Sequence, residues 1–247
     1  MRPRLKNLCL ALAVGALWIA LWQLAAMGVG SALLLPGPYD TLETLLRLMQ
    51  TGAFWKTVAT TLLRIGAGYL LGAFIGTVIG VLTAVSPFLR VLLAPLRTVA
   101  KATPVTSFII LVLLWLSAAA TPVLIAFIMV TPMFWATVYQ GVVSADPQLL
   151  EMAAVFRLGW KNTLRHVYLP HILPQYMATC TTALGFAWKS GVAAEVIAAP
   201  AFSIGRSIYE SKLYVETPAL FAWTLAVILL SVGLEKLIVY LLGRVKA

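Results

Sequence analysis

The sequence predicts an all-α integral membrane protein of about six transmembrane helices, joined by short connections and one longer cytoplasmic two-helix loop. Three observations lead there. Of 247 residues, 62% are hydrophobic and only 11% charged, with a mean hydropathy of +0.96; a soluble domain carries about 25% charged residues and could not cover its surface with so few. Residues 7–39, 65–89, 102–145, 166–188 and 217–234 contain no Asp, Glu, Lys or Arg, and about 20 apolar residues cross roughly 30 Å of hydrocarbon as a helix. The 18 Lys and Arg, against 8 Asp and Glu for a net charge of +10, sit between the apolar runs, as topology signals do. A cytosolic enzyme, a disordered chain and a nucleic-acid-binding domain are excluded.

The elements follow in order. A first span over about 8–28 comes after Arg2, Arg4 and Lys6. Basic residues before an apolar run also begin a signal peptide, but this run is long and no small-x-small site ends it, so a retained helix is expected. Leu35-Pro36-Gly37-Pro38 is a turn. Residues 40–56 then mix Leu42, Leu45, Leu46 and Met49 with Asp40, Glu43 and Arg47 at helical spacing, an amphipathic helix lying on the outer surface. Residues 1–55 thus form an N-terminal unit, and 56–247 the main transmembrane domain. Its spans are placed at 62–86, 104–119, 122–143, 169–189 and 217–240, with Thr121-Pro122 dividing the long run 102–145, because the residue before proline is driven out of helix. With the N-terminus inside, 12 of the 18 basic residues fall on the inner side, so both termini are expected in the cytoplasm. Cys9 and Cys180 lie in apolar runs, and His166 and His171 lack ligand spacing, so no disulfide framework or metal site is expected.

Two stretches carry more than span information. Gly68, Gly72, Gly76 and Gly80 recur every fourth residue in the second span and let helix backbones approach closely in lipid, either for tight packing or as a face that slides. Residues 144–168 form the most polar inner segment. Asp146-Pro147 is a helix cap followed by a first-turn proline; Leu149, Met152 and Phe156 recur at i, i+3 and i+7; Gly159 offers a stop, and a second helix starts at Trp160. This segment is either a solvated connection or a docking surface for a cytoplasmic partner.

Glu151-Met152-Ala153, followed at the right spacing by Val167, Leu169 and Pro170, resembles the EAA loop of permease subunits from bacterial ABC importers with the type I fold. The family pattern is Glu-Ala-Ala, three residues, Gly, nine residues, Ile, one residue, Leu-Pro. Further similarity runs from about residue 56 to the C-terminus: Ser86-Pro87-Phe88-Leu89-Arg90, Ala102-Thr103-Pro104, Asp146-Pro147, and Ala187-Trp188 with Ala193-Ala194-Glu195. The combination is similar to the nitrate, sulfonate and taurine group. Met152 replaces the second alanine of the motif, and Arg157 stands where it has glycine, with Gly159 two residues later as the candidate for a sharp turn.

The resemblance implies a permease subunit of an ATP-driven importer in the bacterial inner membrane. It implies a second permease chain, cytoplasmic ABC ATPase subunits, an external solute-binding protein and a surrounding lipid bilayer as partners, and no nucleic acid. At the ATPase dock Glu151 supplies polar contact, Leu149, Met152 and Phe156 supply apolar contact, and Ala153, Arg157, Gly159, Leu169 and Pro170 shape the loop and its entry to the fifth span. The chain is not an enzyme: Lys189-Ser190 lacks the two glycines of a phosphate-binding loop, so ATP and Mg are expected on the partner ATPase. Ionisable residues beside a membrane helix usually face protein or water, which makes Lys189 and Glu195 candidates for the translocation pathway; the plainer reading has Lys189 snorkelling and Glu195 in solvent. A single-chain secondary transporter would call for an internal repeat, and an intramembrane enzyme for a nucleophile-base or metal constellation; neither is found in the sequence. The solute itself is not legible.

Overall fold

A computed structural model describes residues 3–102 and 104–245, and these are helical apart from turns, with no strand among them. Of the residues singled out above, Arg2 and Thr103 lie outside the described residues, as do the side chains of Arg4, Lys6, Cys9 and Ala102.

The first helix, α1 (Pro3–Val29), lies at the edge of the bundle. Trp22 fastens it there, donating through Nε1 to Pro36 O at 3.1 Å and stacking on Phe221 at 6.1 Å. The amphipathic helix α2 (Pro38–Met49) starts where Pro38 presets the first turn and Asp40 accepts the Gly37 N–H at 3.4 Å. It buries Thr41 and Leu45.

Helix α3 (Gly52–Val85) starts ten residues before the expected 62–86. Thr51 caps it by accepting the Phe54 N–H at 3.3 Å, and the charges near its start are absorbed by α3's neighbours. Lys56 lies 3.6 Å above the Phe202 ring, and Arg64 donates to Ala201 O at 3.0 Å and Phe202 O at 3.3 Å. The division expected at 55/56 therefore falls inside α3.

Helix α6 (Thr121–Val143) begins at the expected break, with Pro122 in its first turn. It runs parallel to α3, since Gly68 meets Val123 and Ala126 while Gly80 meets Trp135 and Val138. Parallel neighbours require the chain to return between them. A single helix over 104–119 was expected to do this; instead the return is divided between α4 (Pro87–Ala102) and α5 (Val105–Val112). Eight residues rise only about 12 Å, so α5 cannot cross the bilayer alone. Pro104 caps α5 in an extended conformation, and proline has no N–H to continue the helix before it. Helix α4 runs back along α6, with Arg90 5.3 Å from the Tyr139 ring and Arg97 5.9 Å from the Trp135 ring. Helix α5 then packs Ile109 and Val112 with Ile125 and Ala194.

The remaining helices are α7 (Pro147–Val155), the single turn α8 (Trp160–Thr163), a π turn over Leu164–Tyr168, α9 (Leu169–Ala198), α10 (Ile204–Leu213) and α11 (Thr217–Val245). Within α1, α3, α6 and α11 lie stretches long and apolar enough to cross a membrane; α9, at 30 residues, has the length but carries polar side chains. The core joins Phe54, Tyr69, Phe134, Trp188 and Trp223. Two of their polar atoms find partners, as hydrocarbon surroundings favour: Trp188 Nε1 donates to Val227 O at 3.1 Å and the Tyr69 hydroxyl to Cys180 O at 3.0 Å.

Helices α2 and α10 share one end of the bundle, where Thr217 donates to Leu33 O at 2.6 Å and Lys56 reaches Phe202. Helix α7 follows α6 at the opposite end, to which the Pro3 end of α1 and the Val245 end of α11 also point. The segments expected outside thus share one end, and those expected inside share the other.

Candidate functional site

The loop between α6 and α9 is built from its caps outward. Asp146 accepts the Gln148 N–H at 2.9 Å and Pro147 opens α7. The helix ends with Leu158 N–H donating to Ala153 O at 2.9 Å and Arg157 N–H to Ala154 O at 3.0 Å, the two bonds of a Schellman motif. That motif places its residue in the left-handed region, and here the residue is Arg157, at φ 48°. The expected turn at Gly159 is corrected: Gly159 has φ −63° and caps α8 in an extended conformation. Thus the position where the motif has glycine takes a left-handed backbone here with arginine in it, at a cost of about 1–2 kcal/mol.

The second helix of the loop is also not separate. Helix α8 continues through the π turn into α9, with Leu169 N–H reaching back to Leu164 O. Pro170, in the first turn of α9, has no N–H for the α-helical bond to His166, and π turns typically sit where such a bond is missing.

The outward side of α7 is apolar. Leu149 is 42% exposed, Met152 48% and Phe156 70%, with Glu151 also exposed and in no hydrogen bond or ion pair with a described residue. Ala153 differs from this set: it is buried, and its carbonyl accepts the Leu158 N–H that closes the helix. Leu169 and Pro170 are exposed as well.

Lys189 and Glu195 separate completely, because α9 passes Gly191 without a break. Lys189 is exposed. Glu195 is fully buried, so neither a pathway surface nor solvent surrounds it. Its Oε2 accepts from the Thr61 hydroxyl at 2.8 Å and from Gly205 N–H at 3.3 Å, while Oε1 lies 3.6 Å from Arg64 Nη1 without a hydrogen bond. One carboxylate therefore ties α3, α9 and α10 together. A Cβ on Gly205 would run into the Glu195 backbone, so only glycine allows α10 this close. Thr61 escaped the sequence reading because the helix carrying it was started too late, and Arg64 because its partners, at 195 and 201–202, are remote in sequence; from Thr51 onward, Thr57, Thr61, Arg64 and Gly68 fall on one face.

The glycine face is a packing seam. Cβ atoms built on Gly72, Gly76 and Gly80 would lie 2.9, 2.5 and 3.0 Å from the carbonyl oxygens of Phe127, Thr131 and Trp135, and one on Gly68 would collide with that of Val123. Two rows with the same four-residue period interlock, as small residues permit in lipid.

The pattern of the family described as binding-protein-dependent transport system inner membrane component matches residues 76–247, well over half of the chain. The chain belongs to this family. It is similar to SsuC of Bacillus subtilis (strain 168), a permease protein named for aliphatic sulfonates transport, with 29% identity over 84% of this chain and 75% of that one. Similarity extends to the taurine transport system permease TauC of Escherichia coli K12, at 27% over 76% and 72% of the two chains. The bicarbonate transport system permease CmpB of Synechococcus elongatus matches at 26% over 85% and 79%. Among solved structures, a chain of the inward-facing MetNI methionine ABC transporter shares the fold, with a TM-score of 0.55, 19% identity, and coverage of 77% of this chain and 91% of that one. This family member is a multi-pass membrane permease subunit of an ABC importer and not itself an enzyme; ATP is hydrolysed on a separate subunit. Membership of this family implies a solute-binding protein, an ATPase and a second permease chain as partners.

Proposed function

We propose that two permease chains, this one with a like or related copy, carry a small oxyanion inward across the bacterial inner membrane, with both termini and α7 on the cytoplasmic side. ATP and Mg bind the ABC ATPase subunits, each docked on one α7. Closure and reopening of the ATPase pair swing the docked loops, and the continuous helix from Trp160 to Ala198 carries that rigid-body motion into the bundle. A binding protein delivers the solute from outside; sulfonates, taurine and bicarbonate, the solutes named for the relatives, share the anionic oxygen chemistry. The observation that carries the reading is α7 itself: a capped helix with Leu149, Met152 and Phe156 exposed and Glu151 without a partner among the described residues. The test is Glu151→Lys in the complex reconstituted in proteoliposomes. Charge reversal at the dock should abolish ATP-driven uptake of taurine or of sulfonates and release the ATPase, while the permease still inserts. Normal uptake with the ATPase retained would defeat the docking assignment.

A further inference from the structure

We infer that the exposed stripe of α9 and the groove it forms with α6 line the solute path, and that this lining is built for a small oxyanion. The inference rests on the permease reading above and adds its residues and its chemistry. Gln175, Thr182 and Lys189 are spaced seven apart and all exposed, so they share one face of α9 over about 21 Å, most of a bilayer core. Neither the Gln175 amide nor the Lys189 ammonium bonds to any described residue. An unpaired cation and amide facing lipid are costly, and such groups within spans face water-filled cavities or protein.

A cavity of about 470 Å³ adjoins the stripe, lined by Met133 and Thr137 of α6 and by Gln175, Thr179, Thr182 and Phe186 of α9, among others. Thr137 and Thr179 join its two walls through a 2.7 Å hydroxyl contact. Phe186, 55% exposed, lies between this groove and Lys189. The Thr179 and Thr182 hydroxyls already donate to Gln175 O and Ala178 O, which leaves the Gln175 amide and the Lys189 ammonium as the open donors; no carboxylate lines the groove, and Glu195, the one acidic residue of α9, is turned inward to Thr61, Gly205 and Arg64. Donors without a carboxylate favour an anion with several oxygens. The other large cavity, about 300 Å³ among Ile75, Leu96, Phe108 and Phe127, has neither an amide nor a cationic side chain in its lining, and its Thr131 hydroxyl and Trp135 indole are donated to Phe127 O and Thr83.

The test uses the complete complex in lipid vesicles, with Cys9 and Cys180 replaced by alanine and single cysteines introduced as Gln175→Cys or Thr182→Cys. The probes are two membrane-impermeant thiol reagents, the anionic 2-sulfonatoethyl and the cationic 2-(trimethylammonium)ethyl methanethiosulfonates, each rate divided by its rate on free mercaptoethanol. Both positions should react, with the anionic reagent favoured by about tenfold or more. Lys189→Met should bring that ratio close to one, and Leu70→Cys and Phe74→Cys, on the exposed apolar side of α3, should stay unreactive. No reaction at 175 and 182 in a complex that transports would overturn the path, and equal normalised rates with Lys189 intact would overturn the oxyanion chemistry. Failure of the permease reading would register differently, as absence of the ATPase from the purified parent complex.

Discussion

Replacing Gly76 by alanine adds one methyl group at the α3–α6 seam, and the structure says what that methyl meets. Its carbon would lie 2.5 Å from Thr131 O and 2.9 Å from Phe134 Cβ. Ordinary contact begins at 3.4 Å, so the first approach is about 0.9 Å too short, and it is against backbone, which no rotamer change can withdraw. The helices must separate, and because Gly72 and Gly80 are packed to the same closeness, with Val130 and Val138 Cβ atoms at 2.9 and 2.8 Å, the separation loosens the whole seam and its dispersion contacts. Overpacking of this kind costs about 1–3 kcal/mol, and Gly76→Leu should cost more and impair assembly. Gly66 is the internal control. A Cβ there meets nothing within 4 Å, so Gly66→Ala should stabilise α3 by up to about 1 kcal/mol through helix propensity alone. Thermal unfolding of the purified protein in detergent, followed by tryptophan fluorescence, measures both. Gly76→Ala with the parent's stability, or Gly66→Ala as damaging as Gly76→Ala, would refute the reasoning.

Arg157→Gly should leave transport intact and protect the α7–α8 turn more strongly against amide hydrogen exchange, since glycine removes about 1–2 kcal/mol of left-handed strain; faster exchange would mean that Arg157 holds the turn by its side chain. Arg64→Leu leaves the Glu195 carboxylate without its cation and should destabilise by about 3–5 kcal/mol in chemical unfolding, whereas Arg64→Leu with Glu195→Leu should cost less than Arg64→Leu alone. Additive losses would show that the pair is not coupled. Single cysteines near residues 150 and 210 should react with impermeant reagents only from the cytoplasmic and only from the external side, respectively, and the reverse pattern would invert the topology.

Much of the fold was legible in the sequence because the signals are local. Charge-free runs mark the membrane-crossing stretches, Pro122 marks the start of α6, and Asp146-Pro147 marks that of α7, each through a backbone or solvation preference acting within a few residues. The four-residue glycine period likewise announced a close helix contact. What the periodicity left open was the partner, and only the structure names α6, in parallel register. Charge counting failed where a charge finds a tertiary partner: Lys56 looked like a reason to delay α3, yet the Phe202 ring receives it, as the 201–202 carbonyls receive Arg64. The fate of Glu195 likewise depended on Thr61, Arg64 and Gly205, remote in sequence or on another helix. The return from α3 to α6 was placed too late because a broken helix pair containing Arg90 and Arg97 does not look like a span until Tyr139 and Trp135 are beside it. Sequence by itself determined the class of solvent each segment meets and the local starts and stops of its helices. Which faces meet, and hence which charges can be buried, which glycines are indispensable and which stripe of α9 remains open, was decided by tertiary packing, because those energies belong to pairs of surfaces and not to either one alone.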